Sequence, residues 1–297
     1  MKRILAYILA VVALCPVMRA ADGDLFPYPK PPEDLSSLSD RCNFLVTKFW
    51  NQCDFKSAMS KKDKLNSTFG DWISFMPYAS ADSVHAAIDR VIAKNEKNGP
   101  IILEMARMAE NWVYGDTAQF ISEEIYLPFA QAAANNKKIS AADRARFQRH
   151  VQIIGNTTNR KSVKHLNWET PDGAKGSIDD IHTQIILIFF NDHDCDDCSM
   201  ARIRLSADIN ATSLIKNGLM TVLCIEPNES TTEWLAAAAS YPKDWVIGAS
   251  ADADDWFNRR SSPSFLLLDA RHRILAKDVP VDNILSVLAN IRQNTGL

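Results

Sequence analysis

The sequence is poor in glycine and has no long apolar run. Ten glycines and 13 prolines in 297 residues exclude a collagen-like or low-complexity chain. The 46% share of hydrophobic residues is too high for wholesale disorder. No internal repeat is visible, and no apolar stretch reaches the ~20 residues that a spanning helix needs. A basic excess is missing too. Lys and Arg total 33 against 36 Asp and Glu, a net charge of −3, which does not point to nucleic acid. What remains is an ordinary globular composition, long enough for about two domains.

Lys2 and Arg3 precede an apolar run from Ile4 to Leu14, Pro16 ends it, and Ala20-Ala21 offers a small-residue cut. Charged, apolar, then small is the order of a secretory signal. Residues 1–20 are therefore expected to be a signal peptide, and the protein exported, periplasmic or envelope-associated in a bacterium. Met18 is bulky for its place before the cut, and two other readings compete: an uncleaved anchor, which would need a longer apolar run, and lipidation at Cys15, although Leu14 before it is not small. No stable membrane span is expected after cleavage. Removing residues 1–20 takes away Lys2, Arg3 and Arg19 and no acid, so the charge moves from −3 to −6. Five cysteines remain: Cys42, Cys53, Cys195, Cys198 and Cys224. In an oxidising compartment each is a redox question, and an odd number leaves at least one unpaired within a monomer.

Residues 21–37 hold four prolines and several acids, the composition of an extended tether. From 38 to 155 the pattern is helical. Phe44, Leu45, Phe49 and Trp50 share one face; so do Val84, Ile88, Val91 and Ile92, and Ile101, Ile102, Met105, Met108, Ala109 and Trp112. A helix is expected over Ile121–Ala134, kinked or broken by Pro128. Another starts at Ser140, with Asp143 completing an acidic capping box. From 156 to 297 the grammar changes to strands alternating with helices. Strands are expected at His165–Thr170, Gln184–Phe190, Met220–Ile225, Ser264–Leu268 and Arg273–Lys277. Helices are expected at Cys195–Leu214, Thr231–Ser240 and Val281–Arg292. The apolar runs suit strands buried on both faces, and the order indicates an α/β sandwich with a mixed sheet, preceded by an all-α domain.

The chemistry concentrates in Asn191-Asp-His-Asp-Cys195-Asp-Asp-Cys198, where a buried strand runs into a turn and a Cys-x-x-Cys opens a helix. Two intervening residues at a helix start bring the sulfurs within reach of a small disulfide ring. The first sulfur sits where unpaired backbone N–H groups point, and the second lies one turn in, more shielded. An exposed nucleophile beside a shielded resolving thiol is what disulfide exchange requires. Asp192, Asp194, Asp196 and Asp197 crowd the pair and are expected to disfavour the Cys195 thiolate, with His193 as a further tuning residue. A reducing or isomerising carrier is expected on that ground.

Pro263, in Ser261-Ser262-Pro263-Ser264-Phe265, precedes a strand 65 residues after Cys198. With Phe265-Leu-Leu-Leu-Asp269, Arg271-His272-Arg273-Ile274-Leu275 and the entry Asn167-Trp-Glu-Thr-Pro-Asp-Gly173, it makes residues 160–297 resemble the thioredoxin superfamily, especially its exported thiol–disulfide exchange branch. The resemblance implies a mixed sheet flanked by helices and a cis proline at Pro263 packed against the cysteines. It also implies Cys195 and Cys198 as the redox pair, with Ser262 and Pro263 as the rim where a partner backbone docks. No cofactor beyond the Cys195–Cys198 disulfide is expected, and the partners would be protein thiols or disulfides of the cell envelope. Arg41–Phe55 resembles an N-terminal domain of unassigned function found in some exported bacterial thioredoxin-like proteins. This chain departs from the pattern at Asp194, usually aromatic, and at Asp196-Asp197, usually Gly-Pro. It departs again at Ala201, often Glu in the exported branch, and at Ile203, often Pro.

Other readings stand beside this one. The Cys195–Cys198 pair could be an inert structural disulfide. His193 with the cysteines and acids could handle copper, although no second Cys pair and no His-x-x-His accompanies them. The protein could also be a non-catalytic envelope-binding module on a thioredoxin-like scaffold. Cys42 and Cys53 on one continuous helix would lie ~16 Å apart, so two buried thiols are expected unless that helix breaks. Cys224 in its apolar strand reads as a core thiol. The aromatics Phe49, Trp50, Trp72, Phe75, Trp112, Tyr126 and Phe129 suit a core, with a groove lining as the alternative. Arg271-His272-Arg273 is expected to be a solvated hairpin tip, and His85, His150, His165, His182 and His272 receive no role.

Overall fold

The computed structural model describes residues 25–115, 118, 120–259 and 261–296. The expected signal peptide, Cys15 and the first residues of the tether lie outside them. The chain divides into two compact units at Val151/Gln152. The expected boundary at 155 falls four residues later, near the end of the helix that carries the division.

The first unit is helical throughout its described residues. Its α-helices are α1 (Leu38–Lys48), α2 (Phe55–Ala58), α3 (Lys62–Phe75), α4 (Ala81–Asn95), α5 (Gly99–Val113), α6 (Glu123–Asn135) and α7 (Ala141–Asn156). Side-chain caps start most of them: Ser37, Asp54, Ser80, Asn98 and Ser122 each accept a backbone N–H of the first turn. Ser140 likewise accepts the N–H of Asp143 and donates its hydroxyl to that carboxylate. Pro128 neither breaks nor ends α6; it forgoes one hydrogen bond while the packed face carries the helix on.

Two expectations change at α1. The helix ends at Lys48 and tightens into a 3₁₀ turn, Phe49–Gln52, so Cys42 and Cys53 do not share a continuous helix. Both are nevertheless buried. The same break turns the inward face to Cys42, Val46, Phe49 and Trp50, leaving Phe44 and Leu45 only half-buried. The aromatics form core. Trp50 lies 5.6 Å from Trp72 and 6.2 Å from Phe69, which is 5.6 Å from Phe129. The Trp72 indole N–H donates to the Val46 carbonyl. Phe75 and Trp112 are half-buried at the margin of this core.

The second unit carries one seven-stranded sheet. Its strands are β1 (Asn167–Glu169), β2 (Lys175–Ser177), β3 (Ile185–Phe190), β4 (Met220–Glu226), β5 (Val246–Ala249), β6 (Ser264–Asp269) and β7 (Ile274–Lys277), in the order β2-β1-β5-β4-β3-β6-β7. Its helices are α8 (Asp196–Ala207), α9 (Ile209–Lys216), α10 (Thr232–Ala238), α11 (Ala253–Trp256) and α12 (Val281–Thr295). β3 sits centrally, parallel to β4 and antiparallel to β6. Side chains alternate across a strand, so Ile186, Ile188 and Phe190 enter one core while Leu187 and Phe189 enter the other. That is why this segment is apolar without interruption.

Three readings are corrected here. The helix expected from Cys195 to Leu214 is two helices. Asp208 interrupts it and caps α9, its carboxylate accepting the N–H groups of Asn210 and Ala211. β5 was not anticipated. His272 is not fully solvated at its hairpin tip: its Nε2 bonds the Ile181 carbonyl at 2.9 Å, and only 14% of its side chain is exposed.

Candidate functional site

β3 ends at Phe190, and the next five residues carry the chain across the end of the sheet into α8. Asn191 anchors the start of this turn. It is fully buried, its N–H donates to the Ile225 carbonyl, and its side chain bonds the Tyr241 hydroxyl and the Arg202 guanidinium. Arg202 also lies over the Tyr241 ring, 4.2 Å from its centroid. The first turns of α8 are thus pinned to the end of β3.

Cys195 is the N-cap of α8, and its Sγ accepts the Cys198 N–H at 3.1 Å. It is half-buried, whereas Cys198 is fully buried, and both are free thiols. Burial, then the contact with Cys195, pushes the Cys198 thiol well above its ordinary range. The Cys195 sulfur also faces the Ser262 carbonyl at 3.7 Å, from the cis Ser262–Pro263 peptide that leads into β6. The structure therefore brings together Cys195, Cys198, Ser262 and Pro263 from two separate segments.

The polar residues around the cysteines divide. Asp194, Asp196 and Asp197 are exposed, with Asp196 and Asp197 in the first turn of α8, where a helix start favours acids. His193 turns to Glu226 at the end of β4. Its backbone N–H and its Nδ1 lie 2.9 and 3.0 Å from the same carboxylate oxygen. The Glu226 side chain is completely buried, and its other oxygen accepts the Asn228 amide at 2.8 Å. Asp192 turns the other way and accepts the Ser262 hydroxyl. Burial raises its carboxyl above the usual range, opposed by Arg259, 3.7 Å away, and reinforced by Glu226, Asp194 and Asp254. Arg259 is held by a two-pronged pair with Asp254.

Sequence reading passed over Glu226, Arg259 and the Asp192–Ser262 bond. Only Glu226 left a local trace, as a charged residue ending the apolar run Met220–Ile225. Among the described residues, no group of three or more His, Cys, Asp or Glu side chains is arranged to hold a metal ion. No described helix is long and apolar enough to cross a membrane. A cavity of about 670 Å³ lies between the β1–β2 hairpin and the loops after β4 and β5, and Asn228, the Glu226 partner, is in its wall.

Residues 13–156 match a family model described as a domain of unknown function, DUF5106. No curated protein matches the sequence. Among solved structures, a thioredoxin-like protein from Bacteroides caccae is 19% identical and covers 90% of this chain and 99% of its own, with a TM-score of 0.74. A conserved protein of unknown function from Bacteroides fragilis is 26% identical over 41% of this chain and 93% of its own, with a TM-score of 0.40. The thioredoxin domain of a thiol-disulfide oxidoreductase from Bacteroides vulgatus is 17% identical over 45% and 97%, with a TM-score of 0.38. The chain thus has the fold of a thioredoxin-like protein, preceded by a helical unit that matches the family model of unknown function.

Proposed function

We propose that the protein is an exported thiol–disulfide oxidoreductase that reduces or isomerises disulfides of envelope proteins. One observation carries the reading: a half-buried Cys195 caps α8, with the fully buried Cys198 bonded behind it. The Cys195 thiolate attacks a partner disulfide, one partner sulfur leaves as a thiolate, and a mixed disulfide forms. Cys198, deprotonated, then attacks the Cys195 sulfur. The Cys195–Cys198 bond forms, the second partner thiolate leaves, and the partner gains the two electrons the protein has lost. Ser262 and Pro263 supply the rim for the partner backbone, with the Ser262 carbonyl already turned to the reacting sulfur. The charged, apolar, small order of residues 2–21 supports export.

The test is dithiothreitol-coupled insulin reduction by the mature chain and by Cys195→Ser. Activity in the first and its loss in the second is the expected result. Equal activity in both, or none in either, removes the reading. A pull-down with Cys198→Ser completes it. Mixed disulfides through Cys195 support catalysis, whereas partners retained equally with both cysteines replaced would make the protein a binding module.

A further inference from the structure

The segment that follows α7, Asn159-Arg-Lys-Ser-Val-Lys-His165, carries three cations and a histidine in seven residues. The thiol–disulfide chemistry uses none of them. Part of the segment lies beside β7. Ser162 pairs with Arg273, and the N–H groups of Arg160 and Val163 donate to the Ile274 and His272 carbonyls.

This placement opens a cavity of about 270 Å³, walled by Asn156, Lys161, Lys164, His165, Trp256 and Phe257. Its frame is fixed. The His165 ring stacks on Trp256 with centroids 4.5 Å apart, and the Asn156 amide donates to the Trp256 carbonyl, tying the end of α7 to α11. Phe257 is buried. Among the described residues no carboxylate lines the cavity. Lys161 and Lys164 are exposed, and neither side chain has a partner among those residues. Two unmatched ammonium groups thus share one cavity on a chain whose net charge is −3. Their combined charge matches a phosphate monoester, which carries about −1.5 to −2 at neutral pH, whereas a single carboxylate leaves one ammonium unmatched. The space equals roughly nine waters at about 30 Å³ each, more than a bare phosphate fills. What remains is bounded by aromatic rings.

We propose that this cavity binds a phosphate monoester, its phosphate between Lys161 and Lys164 and its organic part against Trp256 and Phe257. The proposal is independent of the thiol–disulfide reading. A soluble ester and a lipid headgroup share this chemistry.

The experiment titrates the full-length protein with phenyl phosphate by calorimetry at fixed ionic strength. It also sediments the protein with phosphatidylcholine vesicles, with and without phosphatidic acid. Saturable binding of phenyl phosphate is expected, displaced by inorganic phosphate and not by chloride. Lys161→Gln combined with Lys164→Gln should weaken it by about tenfold or more at an unchanged urea midpoint, and each single change should weaken it less. Arg271→Gln alters a nearby cation outside the cavity and should leave binding unchanged. Phenyl phosphate bound without added retention on phosphatidic acid makes the ligand a soluble ester. Retention on phosphatidic acid that depends on the two lysines makes it a headgroup. No binding in either arm, equal binding in the double variant, or the same weakening by Arg271→Gln overturns the proposal. Should the double variant fail to fold, the single variants decide, and unchanged binding in both overturns it. Inorganic phosphate binding as tightly as the ester removes the aromatic wall from the site.

Discussion

The Cys198 backbone N–H donates to the Cys195 sulfur across 3.1 Å, so the helix start that carries the second cysteine is aimed at the first. A thiolate formed at Cys195 takes up this bond and the field of the helix terminus, while Cys198 is closed off from solvent. Brief alkylation of the reduced protein with iodoacetamide at pH 8 should therefore mark Cys195 first. Cys53, Cys198 and Cys224, all buried, should stay unmodified until the fold is opened by denaturant. Peptide mass spectrometry gives the order; early labelling of Cys198 would contradict it.

The glycine next to the Trp168 ring sets a second expectation. A Cβ built on Gly248 would lie 2.2 Å from Cδ1 of that indole, and one on Gly176 would lie 2.5 Å from its Nε1. Trp168 is buried between them, so either change pushes the indole out of its place. Gly248→Ala should cost roughly 1–3 kcal/mol in urea unfolding. Gly155→Ala, in α7 with nothing within 4 Å, should instead be neutral or stabilise by up to about 1 kcal/mol. Similar losses in both would show that the Trp168 contact is not what decides.

Stability at alkaline pH should depend on Cys53. Burial pushes its thiol up to about 12 from 9.0, with Lys94 pulling the other way. A thiol that holds its proton more tightly in the folded state supports the fold fully below about pH 9.0 and ceases to do so as the pH rises toward 12. Between pH 8 and 10.5 the unmodified protein should lose more unfolding free energy than Cys53→Ala. Equal losses would mean that this thiol is not protected.

The acids around the cysteines act at longer range. Asp194, Asp196 and Asp197 are exposed, so each opposes a neighbouring thiolate weakly and through water. Replacing all three with Asn should make the Cys195–Cys198 disulfide easier to reduce, by no more than about 30 mV in equilibration with glutathione. Raising the salt to 1 M should shrink the difference, because screening then acts within ~3 Å. A shift in the opposite direction would remove the acidic cluster as the basis for a reducing role.

How far the sequence could be read follows from the range of the forces involved. β3 was legible because burial on both faces leaves six successive apolar residues, and Cys195 with Cys198 because their relation is local. β5 was not: Val-Ile-Gly-Ala is short, and its glycine answers to Trp168, a tertiary neighbour. Asp208 hid the break between α8 and α9 because a short polar residue reads equally well inside a helix or as a cap. The polar half of the site is assembled over distance. His193 meets Glu226 across 33 residues and Asp192 meets Ser262 across 70, separations at which no spacing rule speaks.

The sheet is not held together evenly. β3 meets β4 and β6 through six residue pairs each, whereas the β1–β2 hairpin joins β5 at a single pair, Glu169 with Ala249. Under stress such an assembly unzips from its weakest seam. The hairpin lifts away first, its amides exchanging with solvent early, and the strand that mounts the cysteines gives way last. Cys195 and Cys198 are built into the part of the molecule that a partial unfolding leaves standing.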